Sequence, residues 1–251
     1  MTWLEAIAVV AAGLAAGGVN AVVGSGSLIT FPTLLAVGFP PVTANVSNNI
    51  GLVPGSVTGV LGFRRELVGQ GRRARTLAMG SGSGALVGAT LLLTLPSDVF
   101  DTIVPLLVLL ACVLMVLQPR LSKLVAERQA VRTRDVGPAP LAVAFVAGIY
   151  GGYFGAAQGV ILLAALAVLV PDDLGRTNAL KNVLAGTVNA LAAVLFIAFA
   201  DVAWNAVGLI ALGAVVGGAV GARVGRRIPA NVLRFLVVAL GVGVAIQLLV
   251  T

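Results

Sequence analysis

The chain has 251 residues, of which 59% are hydrophobic and only 10% charged, with a mean hydropathy of +1.08. Soluble domains carry roughly 25% charged residues, so a water-soluble globule is excluded. The 16 Lys and Arg against 9 Asp and Glu give a formal charge of +7. On a soluble protein that excess would suggest nucleic acid, but on a chain this apolar the cations report topology first. Histidine is absent and the single cysteine, Cys112, lies in an apolar run. A His-based proton relay, a Cys/His metal cluster and an intrachain disulfide are therefore excluded, and no cofactor or metal is expected.

The N-terminus, Met1-Thr2-Trp3-Leu4-Glu5, has no basic residue and carries an acid. It is read as a retained segment and not a signal peptide. Apolar runs then follow at 4–37, 44–63, 76–95, 101–118, 139–170, 177–200, 204–222 and 232–250. Six of them have the length a helix needs to cross roughly 30 Å of hydrocarbon. The runs 4–37 and 139–170 are too long for one crossing. Each is interrupted near its middle, at Gly24-Ser25-Gly26-Ser27 and at Gly155-Ala156-Ala157-Gln158-Gly159. Both are expected to be broken hairpins whose second arm is too short to span.

The charges support this division. One cluster, Arg64, Arg65, Arg72, Arg73 and Arg75, precedes the third run, and a second, Arg120, Lys123, Arg128, Arg132 and Arg134, follows the fourth. Arg223, Arg226, Arg227 and Arg234 form a third. The positive-inside rule puts all three on the cytoplasmic face. Asp172, Asp173 and Arg176 fall on the same face only if 139–170 returns to the side it entered. Each half then contains one hairpin and three crossings, an odd total, so the halves are inverted relative to each other. The expected fold is an all-α, polytopic integral membrane protein of two inverted-topology repeats, residues 1–118 and 139–251. A basic cytoplasmic linker, 119–138, joins them, and both termini lie outside.

A weak internal repeat runs at an offset of 132–133 residues. Ala44-Asn45-Val46-Ser47-Asn48-Asn49-Ile50 aligns with Thr177-Asn178-Ala179-Leu180-Lys181-Asn182-Val183, each with an Asn pair at i, i+4. Upstream, Gly24-Ser25-Gly26-Ser27-Leu28-Ile29 aligns with Ala156-Ala157-Gln158-Gly159-Val160-Ile161, and downstream Ser56 meets Asn189 and Phe63 meets Phe196. Inverted repeats with discontinuous helices are the architecture of secondary transporters, whose site lies where the breaks meet.

Gly17-Gly18-Val19-Asn20-Ala21, followed by Gly24-Ser25-Gly26-Ser27-Leu28-Ile29-Thr30-Phe31-Pro32, resembles the Gly-rich first motif of the sulfite exporter TauE/SafE family. Gly38-Phe39-Pro40-Pro41, Ala44-Asn45 with Asn48-Asn49, and Thr177-Asn178-Ala179-Leu180-Lys181-Asn182 are similar to it as well. The second Gly-rich motif departs from the family, reading Ala156-Ala157-Gln158-Gly159 where consecutive glycines are common. The resemblance covers essentially the whole chain. It implies a permease of the cytoplasmic membrane that moves small sulfur-containing or organic anions, such as sulfite or sulfonates, usually outward.

The residues themselves nominate a site. At each break a helix begins, and its first N–H groups lack intrahelical partners and carry the positive end of the dipole, which suits an anion. Gly24, Gly26 and Gly159 allow close backbone approach, while Ser25, Ser27 and Gln158 add side-chain hydrogen bonds. Gly17, Gly18, Gly80, Gly82 and Gly84 are read as helix-packing positions. Asn45, Asn49, Asn178 and Asn182 are polar groups in apolar helices and must face protein or an aqueous cavity. They either bind substrate or tie helices together, with Asn49 and Asn182 one turn deeper. Lys181 is the one cation more than a turn from a helix-end cluster. It either draws an oxyanion inward or snorkels to the interface.

The nine acids all lie in loops or at run ends, so a carboxylate proton relay has no members inside the membrane. Expected partners are a small anionic substrate and membrane lipid, with no nucleic acid; an oligomer is not readable. A membrane enzyme acting on lipid phosphates would need an intramembrane acid, His or Arg cluster, which is missing, so no enzyme activity is expected. An anion channel using the same pocket is the remaining alternative.

Overall fold

The computed structural model describes residues 1–127, 137–170 and 172–224, together with 238, 239, 242, 243 and 245. Among the described residues the chain is all-helical. The helices are α1 (Trp3–Val22), α2 (Ser27–Ala36), α3 (Pro41–Gly62), α4 (Gly71–Thr94) and α5 (Ser97–Glu127). The second part contributes α6 (Pro138–Tyr153), α7 (Gln158–Leu169), α8 (Leu174–Phe199) and α9 (Trp204–Val224). The first nine residues of the expected linker continue α5, and the rest of it up to 136 lies outside the described residues. The last apolar run is described only at Val238, Ala239, Val242, Gly243 and Ala245, all helical.

Local chemistry sets the ends. Thr2 and Glu5 form a reciprocal capping box at the start of α1, which accounts for the lone acid of the N-terminus. Asp173 caps α8 by accepting the Arg176 N–H at 2.9 Å. Both overlong runs break where the sequence placed the interruptions, between α1 and α2 and between α6 and α7. In each break a glycine takes a left-handed conformation, Gly24 at φ +90° and Gly155 at φ +78°. Each is the second residue beyond its helix, so the turns themselves are equivalent at an offset of 131. The tip alignment read from sequence is thus shifted by one. Both turns are four residues long, and in the second Ala157 adopts φ +58° as the cap of α7.

Among the described residues five helices are long and apolar enough to cross a membrane: α1, α4, α5 through Leu117, α8, and α9 through Arg223. Helix α3 matches them in length, but Asn45, Ser47, Asn48 and Asn49 lower its apolarity, and all four are buried. The surface has the opposite character. Phe199 is 74% exposed and Trp3 88%, whereas Ser47 and Lys181 are fully buried. Polar groups inside and apolar groups outside is the distribution a lipid solvent selects.

Small residues let the long helices touch backbone to backbone. A Cβ added to Gly17 would lie 2.4 Å from the Ala214 carbonyl oxygen, and one on Gly84 would lie 2.1 Å from that of Phe145. Gly82 instead faces Leu191 on α8. The order of these contacts fixes direction. Gly13 meets Ile210 and Gly17 meets Ala214, so α1 runs parallel to α9, and Gly51 and Gly55 set α3 parallel to α9 in the same way. Gly80 meets Leu141 and Gly88 meets Ile149, so α4 runs parallel to α6. Gln70 bonds Arg176 and Gly82 meets Thr187, which sets α4 parallel to α8. The two groups oppose each other where α3 crosses α8, since Asn49 meets Asn189 while Ser56 meets Gly186. Helix α2 runs back along α3, with Thr30 bonded to Asn48, so 4–37 is a hairpin.

Helix α5 covers both breaks. Its Phe100 packs at a tilt on Tyr153 and edge-on against Phe154 at centroid distances of 5.7 and 6.2 Å, and Phe154 meets Phe31 of α2 edge-on at 5.3 Å. At the basic end, Asp172 receives Arg73 at 2.9 Å and Arg176 at 2.7 Å. The first arginine cluster and the 172–176 segment therefore share one end of the bundle. Asp201 lies beyond the far end of α8, roughly 39 Å away by the helical rise.

Two outcomes follow. Replacing Gly84 with Leu drives a side chain into the α6 backbone, and overpacking of this kind costs about 1–3 kcal/mol; a lower melting temperature in detergent checks it, with Ser83→Leu, on a neighbouring position, affected less. In a Cys112→Ser background, Arg72→Cys and Asp201→Cys react with an impermeant thiol reagent from opposite faces of sealed vesicles.

Candidate functional site

Breaking a helix inside the bundle strands carbonyls at one side of the gap and N–H groups at the other. At the first gap the carbonyls of Asn20 and Ala21, in the last turn of α1, are met from α8. Lys181 Nζ donates to the Asn20 oxygen at 2.9 Å. Asn178 and Asn182 Nδ2 both donate to the Ala21 oxygen at 3.1 Å. The i, i+4 spacing of the two asparagines, with Lys181 beside them, thus reads one helix end. A cation at the negative end of α1 is also favourable on dipole grounds. At the second gap Asn45 of α3 performs the same task, donating to the Tyr153 oxygen at 3.0 Å. Tyr150 Oη adds a bond to the Ala156 oxygen at 2.6 Å.

The N–H side of the gaps is treated differently. Asn20 Oδ1 accepts the Gly26 N–H at 2.6 Å, so one residue serves both sides of the first gap, side chain to α2 and backbone to Lys181. At the second gap the Gly159 N–H donates to the Gly24 oxygen at 3.0 Å. The two breaks are therefore in direct contact. A Cβ on Gly24 would sit 2.5 Å from the Gly159 Cα, and one on Gly159 would sit 2.4 Å from the Gly24 Cα. Only two glycines permit this approach, and Gly24 needs glycine a second time for its positive φ.

Beside this contact lies a cavity of about 30 Å³, room for about one water. It lies between α3 and α8 and reaches Asn182, Ala185 and Asn189, near the middle of α8. Of the sequence candidates it gathers Gly24, Ser27, Gln158, Gly159 and Asn182. The cavity also brings in residues that the sequence reading did not assign to a site: Asn20, Ser56, Asn189, Gly55, Gly59 and Gly155. Ser56 and Asn189 had a signal, since they are repeat equivalents and both polar. Gln158 is 2% exposed and its Nε2 has no hydrogen-bond partner. Its amide lies against Gly151, where a Cβ would come within 2.3 Å of the side-chain carbonyl carbon.

The other candidates lie around this cavity. Ser25 donates to the Met115 sulfur at 3.2 Å, and Gly26 packs on α1 under the Asn20 side chain. Asn49 spans to Asn189 with a long 3.4 Å bond, and its own Oδ1 is buried without a partner. Asn45, Asn178 and Lys181 hold helix ends. Asn178 also borders a second, wider cleft with Val22, Phe63, Glu66, Asp173 and Leu174 at the basic end of the bundle. One turn of α8, from 178 to 182, separates that cleft from the central cavity.

Among the described residues no group of three or more His, Cys, Asp or Glu side chains is placed to hold a metal. The arrangement offers hydrogen-bond donors, small residues and helix ends to a small polar ligand.

Comparison with known proteins agrees with this picture. Residues 9–248 match the family described as Sulfite exporter TauE/SafE. The chain is 30% identical over 204 residues to the probable membrane transporter protein YfcA of Escherichia coli, covering 80% of this chain and 74% of that protein. It is 27% identical over 236 residues to a probable membrane transporter protein of a Sinorhizobium species, covering 93% and 88%. A probable membrane transporter protein of Haemophilus influenzae is 26% identical over 205 residues, covering 82% and 79%. No solved structure matches the chain. A bundle of apolar helices with a polar cavity at two helix breaks, matched along nearly its whole length, belongs to the sulfite exporter TauE/SafE family of membrane transporters.

Proposed function

We propose that the protein is a secondary carrier that exports a small oxyanion, sulfite or a sulfonate, across the cytoplasmic membrane, with its site at the joined breaks. The observation that carries this reading is the direct contact of the two breaks beside a polar cavity that holds an unpartnered Gln158 amide. The inverted-repeat arrangement underlies it. In its favour, α1 packs on α9 as α6 packs on α4, and the two helix groups run in opposite directions. Broken helices at corresponding points of such repeats are where transporters bind their substrates.

The cavity is smaller than any oxyanion of sulfur, so the conformation is a closed one. Its inner seal is the α8 clamp on the last turn of α1, and its opposite seal the Asn49–Asn189 bond. Opening requires the breaks to part, which frees the Gly159 N–H from Gly24 and adds it to the Gln158 amide as a donor for the anion. Export needs no coupling ion: one negative charge leaving an inside-negative cell gains roughly 2.3 kcal/mol per 100 mV. A membrane enzyme is disfavoured because no acid or base lines the cavity. A channel reading predicts flux without saturation.

Proteoliposomes loaded with sulfite are expected to show saturable efflux. Gln158→Ala removes a donor to a charged ligand, worth about 1.5–3 kcal/mol, so half-saturation rises by roughly ten- to a hundred-fold. Gln158→Glu, which presents a carboxylate, abolishes flux. Unchanged half-saturation in both variants would remove Gln158 from the site. Lys181→Ala leaves the Asn20 carbonyl at the end of α1 without its donor; it lowers maximal flux and melting temperature together while half-saturation stays within about two-fold. A large change in half-saturation at unchanged stability would make Lys181 a ligand instead.

A further inference from the structure

The ends of α3 and α9 frame a cleft of about 660 Å³, far larger than the central cavity and on a different face of α3. Arg64 and Arg65 reach it from just beyond α3, and Arg223 from the last turn of α9. One carboxylate, Glu66, shares the lining. Three guanidinium groups against one carboxylate leave two positive charges in excess. The floor is made of Gly62, Ala219 and Ala222, and the two helices are so close there that a Cβ on Gly62 would lie 2.2 Å from that of Ala222.

The cleft continues into lipid-facing surface. Val57 and Leu61 on α3 are 54% and 59% exposed, and Val216 and Val220 on α9 are 51% and 50% exposed. Each pair is spaced i, i+4, so it forms one stripe along its helix. Thr58 lies beside the stripe but is already bonded to the Gly55 and Val215 carbonyls. A basic pocket at the end of an apolar inter-helix stripe fits an amphiphile with an anionic head. Arginine forks match phosphate oxygens two at a time, and the stripe accepts acyl chain. A free anion would use the first feature and leave the second without a purpose.

We propose that the cleft formed by Arg64, Arg65 and Arg223 between the ends of α3 and α9 binds the phosphate headgroup of an anionic phospholipid, whose chains lie along the Val57–Leu61 and Val216–Val220 stripes. The site is separate from the transport cavity, and its test does not require knowledge of the substrate. It shares α3 with that cavity, since Gly59 faces the cavity while Thr58, Leu61 and Gly62 face the cleft. A bound headgroup would therefore rest against the helix that carries Ser56.

Native mass spectrometry of the full chain in detergent, titrated with phosphatidylglycerol and separately with phosphatidylethanolamine, provides the test. The expected result is a one-to-one phosphatidylglycerol complex, at least ten-fold tighter than that with phosphatidylethanolamine. The triple variant Arg64→Ala, Arg65→Ala, Arg223→Ala should abolish this preference. The triple lysine variant, which keeps the charge but loses the forks, should retain part of it and controls for folding. Equal binding of the two lipids would overturn the proposal, as would a preference unchanged in the triple alanine variant. Full displacement of phosphatidylglycerol by millimolar inorganic phosphate would also overturn it, because the site would then be one for a free anion.

Discussion

A helix that ends inside a bilayer leaves backbone groups that no water can satisfy, and in hydrocarbon each such group costs several kcal/mol. This chain breaks two helices in that setting, and the rest of the structure is arranged around the repair. Asn178, Lys181 and Asn182 on α8 take the carbonyls of the first break, and Asn45 on α3 takes one at the second. Asn20 joins the two sides of its own gap, and the breaks then bond to each other through Gly159 and Gly24. Helices α3 and α8 accordingly carry the buried asparagines, and α5 is laid over the breaks with Phe100 and Met115 against them.

The repair is unequal in the two halves, and the inequality bears on function. The first gap is held by three α8 side chains and an internal asparagine, whereas the second is held by one asparagine and a tyrosine hydroxyl. Among the described residues the buried side-chain atoms without partners are the donors Gln158 Nε2 and Tyr153 Oη on the second hairpin, and the acceptor oxygens of Asn49, Asn178 and Gln70. Unsatisfied donors in a low-dielectric cavity are costly when nothing binds and useful when an oxyanion does. In the proposed carrier the first break is the fixed wall of the site, and the second carries the free donors.

Much of the fold was legible because it depends on local quantities. Run length separated the two hairpins from the single crossings, and the glycine and serine interruptions marked the breaks. Gly17 and Gly84 stood out as small residues in apolar helices, where close packing is their ordinary use. The tip alignment was less legible, since the turn itself is set by Gly24 and Gly155, which stand one residue out of the register read from the repeat. Partners distant in sequence were not legible at all. Lys181 stood out as an isolated cation, but no spacing pattern reveals that its amine meets a carbonyl 161 positions earlier. Asn20 was legible only as part of the Gly-rich motif and not as a site residue, for a related reason: its importance comes from the gap beside it, and a single asparagine in an apolar run carries no periodic signal. Gln158 was legible as a tip residue, whereas the room made for its amide by Gly151 was not.

The central claim is that the two breaks, brought together by Gly24 and Gly159, form the place where the transported anion binds. A structure determined by electron cryomicroscopy in the presence of saturating sulfite tests it most directly. The account predicts density for one anion between Ser27 and Gln158, with the Gly159 N–H turned from the Gly24 oxygen toward the ligand. Anion density found only elsewhere, with the Gly24–Gly159 contact unchanged, would contradict it.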